Sequence, residues 1–451
     1  MAKSKTSAKK KRKASAPPLL ARLRKHFGTD PSKLPVVEQT FPNYDRANLH
    51  LTLDELLRES APAAALVGVL AERYAGLSLA KLTHKETAKN FQAGPVQYVD
   101  VQLADEQKLA CVKQGLYTFH SEGRPLALLV ADEDTYRSDK GLDVAVLAPD
   151  REAAERFTRR LAAGVRHGAA FRGKVLSVEQ DCSGAATVRF HRLPNVNRES
   201  VILPEELLAR IERQTMGLSR HAARLKAAGR HLKRGILLHG KPGTGKTLSA
   251  MYLAAQMPGR TVLVITGGAV GSIETACALA RLLEPATLIL EDVDLIGAER
   301  GQQSVGANSV LFELLNQMDG LGEDADVLFV LTTNRPDYLE PALAARPGRV
   351  DLAIEVPLPD EACRARLFDL YSKGLVLQFA DPGVWVRRTK GVSAAFIREL
   401  LRKAAVLSAE SASAGPALTV TDRHIEGALA ELLVAGGPMT RSLLGFAGTA
   451  E

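Results

Sequence analysis

The fold of this chain is decided by one glycine-rich stretch, Gly240-Lys241-Pro242-Gly243-Thr244-Gly245-Lys246-Thr247. It fits the pattern G-x-x-x-x-G-K-[ST], whose glycines let the backbone wrap closely around phosphate groups. An apolar segment, Gly235-Ile236-Leu237-Leu238-His239, precedes the stretch and has the composition of a buried strand. Residues 248–257 after it can form a helix. The order strand, loop, helix predicts a phosphate-binding loop.

The residue types of this loop explain how it would hold a nucleotide. Successive backbone N–H groups and the N-terminus of the following helix point at the anion. Lys246 would supply a charge to the β- and γ-phosphates, and the Thr247 hydroxyl would ligate Mg²⁺. We therefore expect ATP and Mg²⁺ as cofactors. The predicted nucleotide contacts are Gly240, Lys241, Pro242, Gly243, Thr244, Gly245, Lys246, Thr247 and Leu248.

A second apolar segment ends in acidic residues about forty positions farther on, at Thr287-Leu288-Ile289-Leu290-Glu291-Asp292-Val293-Asp294. A strand that ends this way would place carboxylates beside the phosphate loop, because the carboxyl ends of parallel strands meet at one edge of a sheet. One carboxylate can hold hydrated Mg²⁺, and the other can orient the attacking water.

With these two motifs the chain resembles the AAA family of ATPases, over roughly residues 200–435. The resemblance extends to Val327-Leu328-Phe329-Val330-Leu331-Thr332-Thr333-Asn334-Arg335-Pro336 and to Ala345-Arg346-Pro347-Gly348-Arg349-Val350-Asp351, which are similar to the second region of homology of that family. It implies that Asn334 is a polar sensor near the γ-phosphate and the attacking water. It also implies that Arg346 and Arg349 are arginine fingers that reach a neighbour's ATP; the alternative is that both are solvated loop residues.

The resemblance implies a fold and an assembly. The fold would be an α/β, three-layer phosphate-loop ATPase with a parallel sheet and a helical lid, preceded by an α+β N-terminal domain. Residues 391–405 resemble the start of the lid helix, although Phe396 stands where the family often has Asp. A finger that acts on a neighbour's ATP requires a homo-oligomeric ring, usually a hexamer in this family, since the guanidinium must reach the transferring phosphoryl group.

Two departures from the family pattern affect function. The family usually ends its second strand with Asp-Glu, whereas this chain has Glu291-Asp292. We assign Glu291 to Mg²⁺ through water and Asp292 to the attacking water. In the segment comparable to the first pore loop, Ala269 stands where motors that thread polypeptides carry an aromatic residue. An aromatic ring grips a chain through its large buried area, so a ring that switches conformation as a whole is favoured over threading.

The first half of the chain contains no catalytic constellation. Residues 19–90 have mostly helical periodicity, and alternating segments between 96 and 190 predict strands around a helix capped by Asp150. The predicted domains are a disordered basic tail (1–30), an α+β recognition domain (31–195), a large ATPase subdomain (196–360), a helical lid (361–435) and a C-terminal tail (436–451).

The distribution of charge, cysteine and apolar residues excludes several classes of protein. Seven of the first thirteen residues are Lys or Arg, which leaves about +1 of the formal net charge of +8 for the rest of the chain. Nucleic acid is therefore a possible partner only through this tail. The alternative is that the tail is a disordered, solvated arm without a partner. The four cysteines lack paired spacing, no His-Glu-x-x-His occurs, and no apolar run reaches the roughly twenty residues of a membrane span. We expect a soluble, cytoplasmic protein.

The function predicted from the sequence is ATP hydrolysis in an oligomeric ring that remodels a protein substrate or partner. Two alternatives stay open at this stage. One is a nucleotide-gated scaffold with little turnover, which the Glu291-Asp292 order and Ala269 favour. The other is a nucleic-acid-associated ATPase that uses the basic tail.

Overall fold

The computed structural model describes residues 17–60, 63–72, 76–103, 107–132, 141–180, 186–265, 273–294, 314–320, 322, 325–337, 350–411 and 418–435. The chain divides into two compact units, Met1–Ala170 and Phe171–Glu451. Among the residues described, no helix is long and apolar enough to cross a membrane.

The first unit is an α+β fold around an antiparallel sheet. Its helices are α1 (Pro18–Phe27), α2 (Arg46–Arg58), α3 (Leu79–Thr83) and α4 (Arg151–His167). Its strands are β1 (Val36–Pro42), β2 (Ala65–Ala71), β3 (Phe91–Gly94), β4 (Gln97–Gln102), β5 (Lys108–Ser121), β6 (Arg124–Asp132) and β7 (Gly141–Leu147). They lie in the order β1-β7-β6-β5-β2-β3, and β4 pairs with β5.

Both faces of this sheet are covered, because successive side chains of a strand point to opposite faces. Leu128 of β6 belongs to a core that contains Phe157 of α4 and residues of α2. The next residue, Leu129, belongs to a separate core with Leu19 of α1 and Leu79 of α3. Helix α4 begins at its predicted cap, where the Asp150 side chain accepts a hydrogen bond from the backbone N of Ala153.

Two predictions for this region are wrong. Residues 18–27, assigned to a disordered tail, form α1, whose leucines are buried in the core. Residues 36–42 and 65–71, assigned to a helical region, form strands β1 and β2. A short apolar run has no decisive period, and long-range pairing with β5 makes residues 65–71 a strand. Residues 1–16 of the predicted tail lie outside the described residues.

The second unit is an α/β fold with a parallel sheet. Its helices are α5 (Glu205–Glu212), α6 (Leu218–Arg220), α7 (Ala222–Ala227), α8 (Lys246–Ala255), α9 (Ile273–Leu282), α10 (Glu361–Tyr371), α11 (Pro382–Arg388), α12 (Ala394–Ser411) and α13 (Asp422–Ala430). Its strands are β8 (Val175–Gln180), β9 (Ala186–Phe190), β10 (Arg234–His239), β11 (Thr261–Ile265), β12 (Ala286–Leu290), β13 (Val327–Thr333), β14 (Leu352–Glu355), β15 (Leu375–Gln378) and β16 (Leu418–Thr421).

The main sheet of this unit has the order β14-β10-β13-β12-β11-β8-β9. All neighbours pair in parallel except β8 and β9. Strands β11, β12 and β13 are buried at every position, as expected for parallel strands covered on both faces. The sequence places β8 and β9 in the predicted N-terminal domain, with a boundary at residue 195, and this prediction is wrong. They instead extend the second sheet, because β8 pairs with β11, and the division between units falls after Ala170.

The segment predicted as the lid contains α10 to α13 around its own core, with Trp385 and Phe396 buried in it. The prediction of a purely helical lid misses one feature, the two-stranded parallel pairing of β15 with β16. Phe396 is fully buried. The residue that departs from the family pattern is therefore a core residue of the lid.

Candidate functional site

The glycine-rich loop joins β10 to α8, as the sequence predicts. Three of its glycines have positive φ: +144° at Gly240, +75° at Gly243 and +101° at Gly245. This backbone region favours glycine, since a side chain there would be strained. At Gly240 an added Cβ would also lie 2.4 Å from the carbonyl oxygen of Val356. The loop thus needs glycine both for its conformation and for its close packing.

Lys246, the first residue of α8, is 5% exposed. Its Nζ donates to the carbonyl oxygens of Gly240 and Lys241, at 2.9 and 2.8 Å. Burial lowers the pKa of this ammonium, and the carboxylates of Asp292 and Asp294 act in the opposite direction. The loop therefore encloses a cation that the nearby acids help to keep charged. The neighbouring Thr247 is exposed.

The predicted carboxylates follow β12, and Asn334 follows the adjacent β13, so the parallel pairing brings them to one edge of the sheet. The Asn334 Nδ2 donates to the Asp292 Oδ1 at 3.0 Å. Asp292 has a φ of +46°, which is unusual for a residue with a side chain. Its backbone N donates to the Thr332 Oγ1 at 3.0 Å, which holds this turn in place.

Burial raises the pKa values of both strand-end acids. For Asp292 the second cause is the charge of Asp294, whereas Lys246 and the hydrogen bond from Asn334 oppose the rise. For Glu291 the second cause is the charge of Asp292. The Glu291 Oε1 is buried and has no hydrogen-bond partner among the described residues. An unpaired buried carboxylate oxygen is costly, and a cation or an ordered water would relieve that cost.

Next to these groups lies a cavity of about 990 Å³, whose lining includes Asp292 but not Glu291. The phosphate loop, Asp292 and Asn334 line one part of it, and residues 200–203 with the lid helices α10 and α12 line the rest. Its volume lies at the upper end of the range for small-molecule sites. The lid meets the loop directly, because the Ala395 backbone N donates to the Gly243 carbonyl oxygen at 3.1 Å.

The structure brings most of the predicted site residues together, but not all of them can be placed. Arg346, Arg349 and Ala269 lie outside the described residues. The sequence reasoning gave no role to Thr332, to Asp294 or to the lining segment 200–203. Asp294 stands two positions after Asp292, and only its contacts with the exit of β13 distinguish it from an ordinary loop acid.

Comparison with known proteins agrees with this geometry. Residues 236–358 match the family model described as ATPase family associated with various cellular activities (AAA). The chain is 32% identical over 201 residues to the proteasome-activating nucleotidase of Thermococcus onnurineus, a match that covers 42% of this chain and 50% of that protein. It is 34% identical over 222 residues to the ATP-dependent zinc metalloprotease FtsH of Mycobacterium tuberculosis, which covers 46% of this chain and 29% of that protein.

The chain thus spans half or less of the length of these two relatives. The residues matched by the family model, 236–358, contain the phosphate loop, the strand-end acids and Asn334. The fold of the second unit, the geometry of its loop and the family match lead to one conclusion: residues 236–358 of this chain form an ATPase domain of the AAA family.

Proposed function

We propose that this chain binds ATP with Mg²⁺ in the cavity of its second unit and hydrolyses it there. The observation that carries the proposal is the convergence of Lys246, Asp292 and Asn334, from three different strand ends, on one cavity of suitable size. Each is a residue type that phosphoryl transfer uses: a cation for the phosphates, a carboxylate for the water and a polar sensor.

The residues present fit a nucleotide phosphate with a divalent cation. At Gly245, which lines the cavity, no atom lies within 4 Å of the position of a Cβ, so a phosphate group can approach the backbone. The Glu291 Oε1, which has no hydrogen-bond partner among the described residues, is an acceptor for a cation or its water. Thr247 would hold Mg²⁺ directly and Glu291 through water. The described residues include no group of three His, Cys, Asp or Glu that could form a metal site. Mg²⁺ usually keeps several waters and is held by few protein ligands together with substrate phosphates.

Different residues of the chain bind the phosphates and orient the attacking water. Backbone N–H groups of the loop and Lys246 bind the phosphates, and Asp292 orients the attacking water with Asn334 beside it. Bound Mg²⁺ would neutralise charge that develops on the phosphate oxygens. We assign Arg346 and Arg349 to the neighbouring subunit's ATP, where a finger contributes about 10³–10⁵ in rate. This assignment requires a homo-oligomeric ring, which we propose to be a hexamer.

The ring would use hydrolysis to remodel a protein. The names of the relatives, a proteasome-activating nucleotidase and an ATP-dependent metalloprotease, support a protein substrate. Ala269 in place of an aromatic residue supports a change in conformation of the whole ring over threading. The first unit would recognise the substrate.

A mixing experiment tests the fingers and the ring together. We expect Lys246→Ala and Arg349→Ala subunits to be inactive alone, because one lacks the phosphate cation and the other lacks the finger. In a mixed ring, an intact loop from one variant would meet an intact finger from the other. ATP hydrolysis should therefore reappear on mixing, and the specific activity of the wild-type protein should fall on dilution. Wild-type activity without recovery on mixing would contradict the assignment of Arg349; the same experiment with Arg346→Ala tests the other finger.

Binding of ATP without turnover in the wild-type protein would favour the alternative of a nucleotide-gated scaffold. The raised pKa of Glu291 and the reversed order of the two acids are the observations that favour it.

A further inference from the structure

Asn334 is held at two points by acids from a single loop. Its side-chain Nδ2 donates to the Asp292 Oδ1 at 3.0 Å, and its backbone N donates to the Asp294 Oδ1 at 3.2 Å. The same Asp294 oxygen accepts a hydrogen bond from the Thr333 Oγ1 at 2.7 Å. Strand β13 ends at Thr333, so at Asn334 the chain leaves the ladder of backbone bonds. At this position the Asp294 side chain supplies the acceptor for the Asn334 backbone N, which no longer lies within the strand.

The pairing with Asp292 also fixes which end of the Asn334 amide faces the acid. An ionised carboxylate can only accept hydrogen bonds, so the NH₂ group must point toward it. The Asn334 Oδ1 then points away from Asp292 and can accept a hydrogen bond from a water in the cavity, which both residues line. The orientation of this amide decides whether Asn334 and Asp292 can act on the same water.

We propose that Asp294 is a positioning residue for ATP hydrolysis: it fixes the backbone of Asn334 and, through Asn334, the attacking water. The inference rests on the function proposed above. Asp294 is not among the described residues that line the cavity, so it acts through Asn334 and does not touch the nucleotide. Its two accepted hydrogen bonds need an acceptor oxygen at this position, and Asp294→Ala and Asp294→Asn remove the same charge, so the comparison of these two variants tests the oxygen alone.

Two substitutions of Asp294 test whether the acceptor oxygen matters. Asp294→Ala removes the acceptor, whereas Asp294→Asn keeps a carbonyl oxygen that can accept the same two bonds. We expect Asp294→Ala to lower kcat about 10- to 100-fold, the range for a misplaced reacting group, with the KM for Mg-ATP changed less than about threefold. Asp294→Asn should recover most of the lost kcat. Thr333→Val removes one of the two donors and should have a smaller effect than Asp294→Ala.

A double-mutant cycle with Asn334→Ala gives the decisive readout, because residues that act as one unit are not additive. If Asp294 acts through Asn334, adding Asp294→Ala to Asn334→Ala should lower kcat no further. Additive losses, or an Asp294→Asn variant as poor as Asp294→Ala, would overturn the inference and leave the proposed function intact. A wild-type protein without turnover above Lys246→Ala would overturn both. Thermal unfolding of each variant separates these outcomes from misfolding, and Asp294→Asn, which keeps the side-chain shape, stays informative if Asp294→Ala does not fold.

Discussion

The two units are built on seven-stranded sheets that differ in strand direction, and among the residues that the structure describes only the parallel sheet gathers a candidate site. In the first unit the strands are antiparallel, so each edge of the sheet mixes strand beginnings and strand ends. In the second unit β10, β12 and β13 run in parallel and all end at one edge. Lys246, Asp292 and Asn334, far apart in the sequence, meet there. Parallel topology is therefore what converts three local motifs into one site.

Buried acids give a second contrast between the units. In the first unit burial raises the pKa of Asp45 to about 6, and Asn48 donates a hydrogen bond to it at 3.1 Å. In the second unit burial raises the pKa values of Glu291 and Asp292 as well. Burial is the physical cause in both units. Asp292, however, faces a cavity of about 990 Å³, whereas Asp45 is covered by its neighbours and only 8% exposed. A raised pKa indicates a site only where a ligand can reach the acid.

The largest predicted effect concerns the acid that faces the cavity. Asp292→Asn should lower the turnover of ATP by about 10²–10³-fold, the scale on which removal of one positioned polar group acts. Binding of ATP should persist, because Lys246 and the loop are unchanged. Rates of phosphate release, together with equilibrium binding of ATP, measure the two quantities separately. Turnover equal to wild type would show that Asp292 is not the residue that orients the water.

The second predicted effect is on stability and concerns two glycines with positive φ, one in each unit. Gly240→Ala should destabilise the second unit by more than about 3 kcal/mol, because strain at φ +144° adds to a Cβ 2.4 Å from the Val356 oxygen. The matched change is Gly123→Ala in the β5–β6 turn, which has φ +74° and no atom within 4 Å of the new Cβ. It should cost about 1 kcal/mol. Denaturant unfolding of both variants gives the comparison, and equal losses would contradict the packing argument.

The smallest predicted effect is the pH dependence of Asp45. Its folded-state pKa of about 6 exceeds the ordinary value of 3.8, so the folded state binds more protons between these pH values. Stability from this group is therefore lost as pH rises from about 4 through 6. Asp45→Asn should be more stable than wild type by about 1–2 kcal/mol at pH 7.5 and nearly equal to it near pH 4. Urea unfolding at the two pH values tests this, and a gain of the same size at both would be inconsistent with it.

The contrast also explains how much the sequence could predict. The strand, loop and helix of the phosphate loop could be predicted in the second unit, because phosphate chemistry requires particular residue types at fixed spacing. The loop lies between β10 and α8, as predicted. In the first unit strands β4 to β7 are predicted by the alternating segments beyond residue 96. Strand β2 is not, because its pairing partner lies about fifty residues away and local periodicity carries no trace of that contact. Strands β8 and β9 were recognised but placed in the wrong sheet for the same reason.

Within the site, Asp294 is a residue whose contacts could not be predicted from the sequence. As a residue type in a loop it is unremarkable, and its contacts with Thr333 and Asn334 arise only when β12 and β13 lie side by side. Segment 200–203 is similar, since its place in the cavity lining follows from the packing of the second unit. Residues defined by their own chemistry can be predicted from sequence, whereas residues defined by their neighbours require the fold.

The central claim is that the parallel-sheet unit hydrolyses ATP at the cavity. The most direct test is steady-state phosphate release at saturating Mg-ATP by the wild-type protein and by Lys246→Ala, with Lys85→Ala, an exposed lysine of the first unit, as the matched control. We predict turnover by wild type and by Lys85→Ala, and a rate at least about 100-fold lower for Lys246→Ala. Equal rates for wild type and Lys246→Ala, or no release by any of the three proteins, would contradict the claim.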